Sequence, residues 1–113
     1  MEYIELKDIS QISQLKEHST DQSKGVLIFK HSTRCAISKM ALNRFERGWN
    51  FSKDEFPVYF LDLIRHRDVS DAVSREFNVQ HESPQILLIQ GGVCNYSASH
   101  NAIVPDKIEE LFK

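Results

Sequence analysis

The chain has 113 residues, 41% hydrophobic and 27% charged, with 14 basic residues against 16 acidic ones. That length suits one domain burying roughly two-thirds of its unfolded surface, enough for a core without disulfides or metals. The near-balanced charge excludes the basic footprint of a nucleic-acid binder, and no apolar run nears the ~20 residues of a membrane span.

Gly and Pro are few, which argues against disorder. The opening stretch MEYIELKDIS has neither the basic end nor the apolar block of a signal peptide. Two cysteines, Cys35 and Cys94, do not make the framework of a secreted scaffold. A cytoplasmic protein with reduced thiols is therefore expected. No repeat, linker or charge block divides the chain, so residues 1–113 are expected to form a single domain.

YIEL at 3 to 6 has the alternation of a short strand. Ile9, Ile12 and Leu15 then recur at helical spacing, with Ser10 available as a cap. VLIF at 26 to 29 is a continuous apolar run, of the kind found in strands covered on both faces. Ile37, Met40, Ala41 and Phe45 form a helical stripe, predicting a helix from near Cys35 to near Gly48. PVYFLDL at 57 to 63 predicts a strand, and Val69, Ala72, Val73 and Phe77 predict a helix ended by Asn78. QILLIQ at 85 to 90, a Gly-Gly turn and VCNYSAS at 93 to 99 predict a β-hairpin. Pro105 fits the first position of a last helix, with Ile108, Leu111 and Phe112 on one face. The order β-α-β-α-β-α-β-β-α implies an α/β fold: a mixed central sheet of about five strands with helices on both faces.

The chemistry centres on HSTRCAIS, residues 31 to 38. A sulfur at the start of a helix meets unpaired backbone N–H groups and the positive end of the dipole. Thiolate is favoured there, and the pKa falls below the free value of ~8.5. Lys30, His31, Arg34 and Lys39 surround Cys35 with no acid between Asp21 and Glu46, a local positive excess that would stabilise thiolate and attract a carboxylate-bearing thiol. Ser38 stands where a dithiol site would have its second cysteine. Its hydroxyl can donate to a thiolate but cannot resolve a mixed disulfide, so the second thiol must come from outside. The bland alternative for Cys35 is a small buried hydrophobe.

The order of elements, the cysteine after the first long apolar strand and ESP before the hairpin resemble the thioredoxin fold over nearly the whole chain. KHSTRCAIS, SPQILLIQGG and SASH narrow the resemblance to the monothiol bacilliredoxin (YtxJ) family. Those proteins carry a Thr-Cys-Pro-Ile-Ser type motif and act with the low-molecular-weight thiol bacillithiol in low-GC Gram-positive bacteria. Here Arg34 intervenes between Thr33 and Cys35, and Ala36 stands where the family usually has Pro. The resemblance implies a catalytic Cys35 tuned by Ser38. It also implies a cis Ser83-Pro84 peptide facing the cysteine, and Thr33, Arg34 and Ala36 bordering the substrate. Pro84 and His100 lie equally far on either side of Gly92, so the hairpin should return Ser99 and His100 to the level of Pro84, as candidates to bind the thiol. The bland alternative is a solvated strand-end His. Cys94, at the hairpin's far end, is expected to pack in the sheet and not to pair with Cys35.

The expected function is a monothiol thiol–disulfide oxidoreductase that removes bacillithiol from protein mixed disulfides. Its partners would be bacillithiolated proteins and bacillithiol or a related thiol, with no tightly bound cofactor, no metal site, no nucleic acid, no membrane and a monomeric state. The alternatives are a glutaredoxin-like iron–sulfur cluster binder using one cysteine per subunit, and a redox-inert adaptor of the same fold.

Overall fold

The structure, a computed structural model, covers residues 1–113. Five strands and four helices alternate as β1 (Ile4–Glu5), α1 (Gln11–Asp21), β2 (Val26–His31), α2 (Ala36–Gly48), β3 (Val58–Asp62), α3 (Arg67–Phe77), β4 (Gln85–Gln90), β5 (Val93–Ser99) and α4 (Pro105–Glu110), with a 3-10 turn at His100–Ala102. The strands form one sheet in the order β1-β3-β2-β4-β5. β3 runs parallel to β1 and β2, whereas β4 is antiparallel to β2 and β5. No helix is long and apolar enough to cross a membrane.

Strand β2 explains why its sequence is apolar without alternation. All six of its residues are buried, because helices cover both faces of the sheet. Val26 and Ile28 pack with Ile12 and Leu15 of α1 and Val69 and Val73 of α3. Leu27 and Phe29 face the other way, onto Ala41 and Phe45 of α2 and Ile108 of α4. The same alternation continues past the apolar run. Lys30 points to the α3 face and is 0% exposed. His31 points to the opposite face, against Phe60 at 5.4 Å.

Several local expectations change. Ser10 has helical backbone angles and makes no cap hydrogen bond. Asp8 does that work: its carboxylate accepts the Ser10 N–H at 2.9 Å and its carbonyl accepts the Gln11 N–H at 3.0 Å. Leu111 lies beyond α4 and is exposed, while Phe112 packs edge-on to Phe56 at 5.5 Å. Of the expected α2 stripe, Ala41 and Phe45 are buried, but Ile37 and Met40 are 58% and 66% exposed, and Ser38 is buried instead.

The hairpin turn is Gly91-Gly92, both at positive φ (58° and 80°), the geometry of a two-residue turn whose twist matches the strands. Ile89 pairs with Cys94 but Leu88 pairs with Tyr96, so Asn95 is an extra, bulged residue. Without it, Gln85 would face Ala98. With it, Gln85 faces Ser99, and the His100 N–H donates to the Pro84 carbonyl at 3.1 Å. The expected levelling of His100 with Pro84 therefore holds, and the bulge is what produces it.

Gly25 introduces β2 at φ +85°, and a Cβ there would sit 2.3 Å from the Ile89 carbonyl oxygen. Gly25→Ala is expected to cost more than ~1 kcal/mol. Urea unfolding would report it as a lower midpoint at unchanged m-value.

Candidate functional site

β2 ends at His31, and a short loop through the exposed Thr33 and Arg34 leads to Cys35. Cys35 is the N-cap of α2, with φ −113° and ψ 121°. Its N–H donates to the Ser32 carbonyl at 3.3 Å, and its carbonyl accepts the Lys39 N–H at 3.1 Å. The side chain is half-buried and carries a free thiol. A cap residue normally turns an oxygen toward the N–H groups two and three residues on. Here a sulfur holds that place. It makes no full cap hydrogen bond, yet the amides of Ser38 and then Ile37, helped by the Ser38 hydroxyl, hold its pKa below that of an ordinary thiol, against a smaller opposing effect of burial.

Of the two causes expected, the helix-start amides act and the basic neighbours do not. None of the basic neighbours contributes to the lowered pKa. Lys30 is buried on the α3 side of the sheet, where its ammonium donates to Ser70 O and Ser74 Oγ. Burial depresses His31, which favours its neutral form. Arg34 and Lys39 are exposed. The helix start supplies the field, and the basic run does not.

Ala36, exposed, fills the first helical position. The residue before a proline is restricted to extended angles, and those of Cys35 already comply. The backbone thus keeps the shape that a proline at 36 would impose. Ser38, three residues into the site, is fully buried, and its hydroxyl has no partner of full hydrogen-bond geometry.

Ser83-Pro84 is a cis peptide, as the resemblance implied. Lys30 of β2 pairs with Gln85 of β4, so the start of β4 and the end of β2 lie at the same end of the sheet, the end that leads to Cys35. Pro84 is buried, and the Ser83 hydroxyl is buried without a partner. Ser99 is at this end too, but its hydroxyl donates to the Glu82 carboxylate at 2.5 Å. His100 is exposed at φ 54°, a left-handed conformation that is uncommon but enriched for His. Its carbonyl accepts a hydrogen bond from Arg44 Nη2 at 3.0 Å.

One feature of the site could not be read in the sequence. Ile37, Met40, Ala41 and Arg44 of α2 line a groove of about 290 Å³ with His100 and Asn101. It starts two residues from Cys35 and carries the exposed apolar surface of Ile37 and Met40. On periodicity these two could not be told from core residues, because the stripe they share with Ala41 and Phe45 is wider than the sheet covers.

Cys94 lies elsewhere. It pairs with Ile89, which pairs with Val26 at the start of β2, about four strand residues or ~13 Å from Lys30. A disulfide needs Cα atoms within ~7 Å. The Cys94 thiol donates to the Tyr96 carbonyl at 3.4 Å, and burial pushes its pKa up.

A family profile described as monothiol bacilliredoxin BrxC matches residues 4–108. Among solved structures, a candidate oxidoreductase with a thioredoxin fold superposes with a TM-score of 0.81 at 29% identity, covering 98% of this chain and 94% of that one. Thioredoxin from Malassezia sympodialis superposes at 0.68 with 17% identity, over 97% of this chain and 87% of that one. Thioredoxin from Schistosoma mansoni gives 0.64 and 21%, over 98% and 95%. The fold is the thioredoxin fold, and the matches together support a thiol oxidoreductase.

Two substitutions test the helix-start geometry. Ser38→Ala removes the hydroxyl but keeps the amide, so the Cys35 pKa is expected to rise only part of the way to an ordinary thiol. The pH profile of iodoacetamide alkylation would move to higher pH by that amount. Ala36→Pro is expected to stabilise the protein by ~0.4–1 kcal/mol, by restricting the unfolded chain at a position whose backbone already suits it; urea unfolding measures this.

Proposed function

The chain belongs to the monothiol bacilliredoxin family, and on that premise we propose that it removes bacillithiol from protein mixed disulfides through Cys35 alone. The observation that carries the reading is the capping sulfur: a half-buried thiol of lowered pKa, with the chain's other cysteine at the opposite end of β2.

The Cys35 thiolate attacks the bacillithiol sulfur of the mixed disulfide. The S–S bond to the client protein breaks, and the client leaves as a thiolate that takes a proton from water. Cys35 now holds bacillithiol in a new disulfide. A second bacillithiol thiolate attacks the bacillithiol sulfur of that disulfide, which releases the oxidised bacillithiol dimer and returns the Cys35 thiolate. Over the cycle one client sulfur is reduced to a thiol and one bacillithiol thiol is oxidised into the dimer, while Cys35 returns unchanged, so the cycle balances without a resolving cysteine.

In this reading Ser38 donates to the thiolate whenever it forms and withdraws that stabilisation when a disulfide takes its place. Thr33, Arg34 and Ala36 border the incoming disulfide on the α2 side, and Arg34 offers a charge to the carboxylates of the thiol. Ser83 and Pro84 present the opposing backbone. His100 closes the groove beside Ile37 and Met40, and Ser99 serves it by holding Glu82. The protein would work as a monomer in the reducing cytoplasm, where thiolate exchange runs on a thiol pool.

Mixing with a bacillithiolated client and following both proteins by mass spectrometry tests the reading. Adduct should pass to Cys35, fail to pass in Cys35→Ser and pass normally in Cys94→Ser. A client that stays modified while Cys35 gains no adduct rejects it. A visible charge-transfer band in anaerobically purified protein, lost in Cys35→Ser, would instead favour a shared iron–sulfur cluster.

A further inference from the structure

We propose that Lys30 is a positioning residue of the exchange site: from inside the core it anchors the His81–Pro84 loop and so sets where the Ser83-Pro84 peptide lies. The inference rests on the exchange reading above.

A fully buried lysine at the centre of a sheet is costly unless its charge is matched. Lys30 is 0% exposed. An ammonium has three N–H donors and no acceptor, and three acceptors meet it here: Ser70 O at 3.3 Å, Ser74 Oγ at 3.0 Å and His81 Nδ1 at 3.3 Å. The first two belong to α3 and the third to the loop before β4. One side chain thus ties β2, α3 and the loop together. An apolar residue of the same size would fill the space but leave His81 Nδ1 only the Ser70 hydroxyl, at 3.3 Å.

The rest of the loop is tied to the sheet in series with this anchor. Gln85, the register partner of Lys30, donates from Nε2 to Gln80 O at 2.9 Å and accepts the Glu82 N–H at 3.4 Å. Glu82 accepts from Ser99, and the Pro84 carbonyl accepts from His100. Each polar group of the loop that the exchange reading uses is one or two residues from a group held by Lys30 or its neighbour.

The charges around the anchor agree with it. Burial brings the Lys30 pKa down to about 8, opposed by Asp71 of α3. Burial, then Lys30 and Arg67, lower that of His81, against Asp71 and Glu82. At neutral pH the lysine is therefore the donor and the imidazole the acceptor. Above about 8 the amine has two N–H groups for three acceptors, and the anchor weakens.

The test uses Lys30→Met in the full chain. Lys30→Met is expected to keep the far-UV spectrum and the Cys35 alkylation rate. Its KM for a bacillithiolated client should rise roughly tenfold with kcat nearly unchanged, the loss of one hydrogen bond to a charged group. Independently of activity, hydrogen exchange of the Glu82 amide, corrected for intrinsic rate, should quicken in Lys30→Met. In the wild type its protection should decline as pH passes about 8, and in Lys30→Met it should not. His81→Ala, which removes the acceptor from the loop side, should raise KM and Glu82 exchange in the same way if Lys30→Met does not fold. Unchanged KM and unchanged Glu82 exchange overturn the proposal, as does a parallel fall of kcat and Cys35 alkylation at constant KM. If the wild type transfers no adduct, the exchange reading fails, and Glu82 exchange still decides whether Lys30 holds the loop.

Discussion

Strand β2 is the member on which the rest depends. It is bonded to a parallel neighbour on one side and an antiparallel one on the other, and helices cover both of its faces. Such a strand has no freedom to slip, because both of its edges are bonded and a one-residue shift would carry Lys30 to the face away from Ser70, Ser74 and His81. Its end is therefore fixed in space, and so is the start of α2, five residues later. The chemistry needs a sulfur at a helix N-terminus. The packing of Val26 to Phe29 delivers it there, and the loop of Ser32 to Arg34 has only to turn the chain.

The dominance of backbone amides over cations at Cys35 follows from the same geometry. An amide fixed by α2 lies close to the sulfur in every molecule, whereas Arg34 and Lys39 are long, exposed and screened by water. Burial also takes Lys30 and His31 out of the account: alternation along β2 sends one to each face, and desolvation penalises the charge on both. Sequence proximity overstated the electrostatic role of Lys30 and His31 because it ignored the direction in which a strand points its side chains.

That distinction separates what could be read in the sequence from what could not. The element order, the limits of β4 and β5, the Gly-Gly turn, the αL Asn78 and Pro105 at the head of α4 all follow from local rules of chain geometry. One failure is local: Asp8, two residues upstream, displaces Ser10 as the cap. The failures nearer the site turn on tertiary context. Ile37 and Met40 match the core period but overhang the sheet beside His100. Lys30 looks like a surface charge until Ser70, Ser74 and His81 are brought to it. The Asn95 bulge has no signature in composition, yet it sets the level of His100.

Three buried polar atoms lack partners, His31 Nδ1, Ser38 Oγ and Ser83 Oγ, and all belong to residues at the end of the sheet that leads to Cys35. A buried hydroxyl without a bond costs ~1–3 kcal/mol, so a protein keeps one only where another state of the site repays it. For Ser38 that state is an anionic sulfur, whose extra charge turns a weak contact with a thiol into a charge-assisted hydrogen bond. The same donor is of little use to a disulfide sulfur, which is neutral. An unsatisfied Ser38 therefore raises the energy of the thiol and disulfide forms relative to the thiolate. The single-cysteine exchange proposed for this chain needs that bias: with Cys94 too far along the sheet to expel the adduct, the stability of the departing Cys35 thiolate is what would let an external thiol finish the cycle.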